Sequence, residues 1–118
     1  MSIKADYNQS LAELPEIYPH LSNNVPEVFK TFASLQKVTL KEGALDKKTK
    51  ELIASALAVA ARCEGCITVH VHDCVKLGCT LEEFSEMIGV AILMGGGPSH
   101  FYGAKALQAF ETFQQKYQ

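Results

Sequence analysis

The constraint that acts hardest on this chain is the period of its apolar residues. From residue 26 onward they return every three or four positions, and Val, Ile and Thr nowhere alternate for long enough to make a sheet face. Helices are therefore the elements available. Asn24-Val25-Pro26-Glu27 reads as a helix start, with a proline early and an acid in the first turn. Val28, Phe29, Phe32 and Leu35 follow at helical spacing. Gly43 breaks the pattern, and Asp46 is placed to cap a helix from Lys47 to Arg62 with Leu52, Ile53, Ala56, Leu57 and Ala60 as its apolar face. Alanines at 54, 56, 58, 60 and 61 suit close helix-helix approach.

A further helix starts at the Cys63–Cys66 turn and runs to about Leu77, with Gly78 as its C′ residue. Thr80-Leu81-Glu82-Glu83 is a capping box, and its helix turns Leu81, Phe84, Met87, Ile88, Ala91 and Ile92 inward. Gly95-Gly96-Gly97-Pro98 joins it to a last helix, 98–116, carrying Phe101, Ala104, Leu107 and Phe110. Residues 1–22 form a loosely helical leading segment in which Pro15 and Pro19 limit any helix. The prediction is an all-α bundle of five or six helices in a single domain, 1–118, a length that can bury a core without staples.

The 118 residues are 47% hydrophobic and 20% charged, with a net charge of -2 and acids and bases interspersed. No Lys/Arg block is present to grip nucleic acid or an anionic membrane. No apolar run has the length of a membrane span, and Met1 to Ser10 lacks the apolar stretch of an export signal. A cytoplasmic, reducing setting is the expectation. There, a Cys-x-x-Cys pair is more often redox-active or metal-binding than structural.

The four cysteines, at 63, 66, 74 and 79, crowd into one short stretch. At about 100° per residue, Cys63, Cys66, His70 and Cys74 fall within about 80° of one another, whereas His72 points the opposite way. His70 stands one turn beyond Cys66, where side chains meet. A helix N-terminus favours an anion, a histidine manages a proton, and the two-residue spacer lets the sulfurs join. An ordinary thiol is only about 3% thiolate at neutral pH; lowering its pKa by about two units, worth about 2.7 kcal/mol, makes most of it nucleophilic. Cys74 and Cys79 read as packing residues. Zinc is a poor fit: Cys63 and Cys74 lie about 16 Å apart along one helix, whereas zinc holds its ligands at about 2.0–2.3 Å. A metal site needs a second segment, so neither a metal nor a cofactor is expected. Gly95–Gly97 lacks the spacing and Lys-Ser/Thr of a phosphate loop, and His20 and His100 read as surface or capping residues. Tyr102, Phe101 and Phe110 read as core or subunit contacts.

The string Glu51-x11-Cys63-Glu-Gly-Cys66-x3-His70, followed by Leu77-Gly78, Thr80-x-Glu-Glu83 and Met94-Gly-Gly-Gly-Pro98, resembles the carboxymuconolactone decarboxylase family over about residues 25–112. Within that family it is similar to the branch of alkyl hydroperoxidase D. The resemblance implies an all-helical homo-oligomer, a trimer or a hexamer, with a peroxidase or disulfide-reductase activity. Carried over residue by residue, Cys66 matches the peroxide-attacking cysteine and Cys63 the partner that donates a proton and closes the disulfide. Glu51 and His70 match the proton relay. The partners implied are a hydroperoxide and a dithiol reductant, a lipoylated protein in the best-understood member. One departure stands out: the peroxidase branch carries a histidine immediately before the second cysteine, and this chain has Gly65. Two other readings stay open, a lactone-acid decarboxylase, which needs no dithiol, and a non-catalytic redox-sensing oligomer.

Overall fold

A computed structural model of the chain describes residues 5–118; Met1 to Lys4, part of the leading segment, lie outside the described residues. Six helices follow one another: α1 Tyr7–Asn24, α2 Pro26–Leu40, α3 Lys47–Ala61, α4 Glu64–Lys76, α5 Leu81–Gly95 and α6 Gly97–Lys116. No strand occurs among the described residues. The all-α prediction holds.

The helix boundaries follow local chemistry. Asp6 opens α1 by accepting from the Gln9 N–H, and Asp46 opens α3 by accepting from the Thr49 N–H. Pro26 starts α2 in the first turn, where a missing N–H costs nothing. The Thr80/Glu83 box is closed in both directions, and Gly78 takes the left-handed conformation (φ 83°) after α4. Between α5 and α6 the chain turns on Gly96, at φ 68° and ψ −146°, a region that is essentially glycine's alone.

Four of the expectations need correction. α1 is a continuous helix through Pro15 and Pro19. Both prolines lie on its exposed side, where water can satisfy the carbonyls that lose an N–H partner. In α3 the buried residues are Glu51, Ser55, Ala58 and Val59, whereas Ile53 and Leu57 are exposed. Polar groups face inward here because each finds a partner on α4. Leu81 in α5, and Phe101 and Ala104 in α6, are also exposed; the inward faces are Phe84, Ile88 and Ala91 on α5, and Gly103, Ala106, Ala109, Phe110 and Phe113 on α6. Finally, α2 buries none of its residues: Val28, Phe32, Leu35 and Val38 form an apolar stripe, each more than half exposed.

The core lies among α3, α4, α5 and α6, with Phe84 stacked on Phe110 at 4.6 Å between centroids. α1 closes one end through Tyr7, fully buried and edge-on to Phe113. At Gly103 of α6 an added Cβ would lie 2.7 Å from Ile88 Cγ2 of α5. That atom belongs to a stiff β-branched side chain in the core. Gly103→Ala should therefore cost about 1–3 kcal/mol of overpacking, which outweighs the helical gain of up to about 1 kcal/mol that alanine brings. Gly89, mid-helix in α5 with open space around it, supplies the contrast. In urea unfolding, Gly103→Ala should lower the midpoint and Gly89→Ala should raise it.

Candidate active site

The α3–α4 connection sets the site. Arg62 closes α3 in the left-handed conformation (φ 57°), an unusual position for a residue with a side chain. The next residue, Cys63, is the N-cap of α4. Its Sγ accepts a hydrogen bond from the Cys66 N–H at 3.2 Å, the task a serine or aspartate oxygen usually performs. Cys63 and Cys66 are joined by a disulfide, with their Cα atoms 5.2 Å apart. Both are half-buried. A sulfur here sits over the unpaired amides and positive pole of a helix start, which stabilise negative charge.

His70, one turn further along α4, meets Glu51 of α3. Its Nδ1 donates to Glu51 Oε1 at 2.7 Å. Glu51 is buried and His70 nearly so, with side-chain exposures of 7% and 16%. The hydrogen bond to Glu51 raises the pKa of His70 above the usual imidazole value, and burial works against it. With Nδ1 committed as donor, the neutral ring keeps Nε2 as its proton acceptor. No hydrogen bond joins His70 to either sulfur in this disulfide state among the described residues. Asp73, three residues on, completes the group: ligand atoms of Glu51, His70 and Asp73 lie within 4.8 Å of one another. Burial and the Glu51 charge raise the pKa of Asp73, while His70 and His72 pull it down. The three groups span the second segment that α4 alone lacked for a metal, but two carboxylates and an imidazole serve a proton relay equally well.

The spacer residue Glu64 is clamped from two sides. The Lys105 ammonium of α6, itself buried, lies 2.9 Å from Glu64 Oε1 as an ion contact rather than a well-angled hydrogen bond. The Tyr7 hydroxyl of α1 donates to Glu64 Oε2 at 3.3 Å. Burial, and then the Glu64 charge, push the Tyr7 pKa well above the usual phenol range. At Gly65 an added Cβ would meet nothing within 4 Å, and a cleft of about 170 Å³ opens there between α1 and α4, lined by Leu14, Ile17, Glu64 and Thr68 among others.

The predicted residues thus divide as follows. Glu51 and His70 are in contact, Cys63 and Cys66 are bonded, and Cys66 lies one helical turn from His70. His72 does point away, its Nε2 bonded to the Tyr117 hydroxyl at 2.6 Å. His20 and His100 are exposed. Asp73, Tyr7, Lys105 and Ser55 were not singled out. Asp73 had a signal, its i+3 position from His70. Tyr7 and Lys105 had none, because their meeting with Glu64 depends on how α1 and α6 pack.

The fold and site define an all-helical protein with a disulfide-joined Cys-x-x-Cys pair next to a buried Glu–His pair. Residues 26–109 match the profile of the Carboxymuconolactone decarboxylase family, and the chain belongs to that family. A carboxymuconolactone decarboxylase family protein from Legionella pneumophila, solved in its apo form, is 47% identical, covers 92% of this chain and 96% of its own, and superposes with a TM-score of 0.86. A family protein from Thermotoga maritima, described as a candidate for an antioxidative response, is 28% identical over 86% of this chain and 90% of its own, with a TM-score of 0.76. An uncharacterized protein of Cupriavidus necator is 33% identical over 91% of this chain and 95% of its own length. No helix among the described residues is long and apolar enough to cross a membrane.

The Glu51–His70 bond has a pH signature. Because the folded-state pKa of His70 is raised, its contribution to stability is fully present below the unfolded imidazole value of about 6.5. It is lost as pH rises through the raised folded value. Replacing Glu51 with Gln removes the charged acceptor, so the His70 titration, followed by NMR of the imidazole protons, should move to lower pH. An unmoved midpoint would show that the carboxylate does not set it.

Proposed function

We propose that the protein is a thiol-dependent peroxidase or disulfide oxidoreductase that cycles Cys63 and Cys66 between dithiol and disulfide. The observation that carries this reading is the disulfide itself, formed at a helix N-terminus one turn before the buried His70–Glu51 pair. In the reduced protein Cys66 gives its proton toward His70 Nε2 and attacks a hydroperoxide as the thiolate. The O–O bond breaks, Cys66 becomes a sulfenic acid, and the departing alkoxide takes the proton that His70 held. Cys63, as a thiol, displaces hydroxide from that sulfenic acid, giving water and the disulfide. A dithiol donor reopens it by exchange and leaves as its own disulfide. The class of donor proposed is a dihydrolipoyl group, free or on a carrier protein. A lactone decarboxylase has no use for a reversible sulfur pair, which sets that reading aside.

The vacancy at Gly65 bears on rate. A side chain there has open space and borders the cleft between α1 and α4. The apolar α2 stripe supports the further proposal of a homo-oligomer, since Val28, Phe32, Leu35 and Val38 are left uncovered within one chain.

Hydroperoxide consumption driven by dihydrolipoamide tests the assignment. Cys66→Ser should abolish turnover, Cys63→Ser should stop it after a single oxidation, and His70→Ala should slow it by about 10²–10⁴-fold, the usual scale for a lost general acid–base group. Wild-type-like turnover in Cys66→Ser would falsify the assigned nucleophile. Light scattering tests the assembly separately: Phe32→Asp should shift a trimer or hexamer toward the monomer, and a wild-type chain that is already monomeric would contradict it.

A further inference from the structure

A second pair of cysteines lies at the other end of α4. Cys74 sits in its last turn and is fully buried; Cys79 follows the Leu77-Gly78 turn and is 5% exposed. The Cys79 N–H donates to the Cys74 carbonyl at 3.0 Å, the bond that closes a helix end across a left-handed glycine. Bond lengths along that bridge limit the two Cα atoms to about 7 Å apart. A disulfide spans Cα separations of about 4.4–6.8 Å, so this bond holds the two backbones close to that range.

The side chains are set for it as well. Each thiol lies close enough to shift the titration of the other, Cys79 downward and Cys74 upward. Cys74 Sγ also lies 3.5 Å from Ser55 Oγ, which fixes its rotamer from α3. Hydrogen bonding from Cys74 lowers the Cys79 pKa, and the Lys48 charge assists; burial and the Glu83 and Glu51 charges oppose. Cys74, as the donor, has its own pKa raised. Lys48 is held nearby through its 2.9 Å bridge to Glu83 in the first turn of α5. Cys79 thus ionises more readily than an ordinary thiol, beside a second thiol that holds its proton. On either side of Cys79, Gly78 and Thr80 are exposed.

We propose that Cys74 and Cys79 form a second redox pair, oxidised by hydroperoxide to an intrachain disulfide that staples the end of α4 to the start of α5. The Cys79 thiolate attacks the peroxide oxygen and breaks the O–O bond; the alkoxide takes a proton from solvent and leaves as the alcohol. Cys79 becomes a sulfenic acid. Cys74 attacks it through sulfur, its proton joins the departing hydroxide as water, and the disulfide closes. Two thiols are oxidised for each peroxide reduced. Cys74 lies about 12 Å along α4 from Cys66, at about 1.5 Å per residue, so the pair works without direct exchange with the first. The proposal does not rest on the function assigned to Cys63 and Cys66.

Peptide mapping without reduction tests it, because Lys76 lies between the two cysteines. The folded full-length chain is treated with hydroperoxide, alkylated in denaturant and cut with trypsin. The expected product joins residues 63–76 to residues 77–105 through Cys74 and Cys79, in a chain that runs as a single protomer on a non-reducing gel. The same link should form in the Cys63→Ser/Cys66→Ser chain, which separates this result from the fate of the first pair. In Cys74→Ser, Cys79 should be trapped as a sulfenic acid by dimedone; in Cys79→Ser, Cys74 should stay fully alkylatable. Full alkylation of both cysteines after peroxide, a link to Cys63 or Cys66 instead, or dimedone trapping at Cys74 rather than Cys79 would overturn the proposal.

Discussion

A buried carboxylate has to be answered, and in this fold the answer to Glu51 is His70. Removing one partner from such a pair typically costs about 3–5 kcal/mol, because the other is left desolvated and alone. That penalty fixes the rotation of α3 against α4. With Glu51 turned inward, Ser55 follows one turn later and meets Cys74, and Ala58 and Val59 fill the remaining contact. The same rotation carries Ile53 and Leu57 outward. The apolar surface of one chain is thus partly a consequence of placing a buried glutamate–histidine pair in its interior.

The chemistry collects at the turn between these two helices. Arg62 in the left-handed region ends α3 abruptly, and Cys63 begins α4 at once as its cap. The Cys63 sulfur therefore does structural work, accepting the Cys66 amide, in the place where a helix best supports a thiolate. Tyr7 and Lys105 hold the spacer residue Glu64 from α1 and α6, so three helices fix the orientation of the sulfur-bearing turn. A site braced by rigid elements keeps its geometry through the bond making and breaking that the proposed dithiol cycle demands. The side at Gly65 is open, with space for a side chain.

Most of the helices were legible because their ends carry their own chemistry: Asp46, the Thr80–Glu83 box, Pro26 and Gly78 each act within a few residues of the chain. Periodicity also brought Cys66 and His70 to one face. It failed where a tertiary partner decided. Hydrophobicity alone chose Ile53 and Leu57 as the inner face of α3, since no local rule says that a glutamate and a serine will find an imidazole and a thiol on the next helix. Pro15 and Pro19 looked like breakers, yet α1 continues through both on its exposed face. The α2 stripe has ordinary amphipathic spacing, and the sequence does not say whether its complement lies within the same chain. Glu51 was identified through the family resemblance; its contact with His70 spans nineteen positions.

The account depends on the Glu51–His70 pair governing a thiol one helical turn away. The pH dependence of Cys66 alkylation in the fully reduced protein, read by mass spectrometry at that residue, tests this most directly. The wild type should react with a midpoint below the ordinary thiol value of about 8.5, and both His70→Ala and Glu51→Gln should shift it upward. A Cys66 that titrates like a free thiol, or one whose midpoint ignores both substitutions, would contradict it.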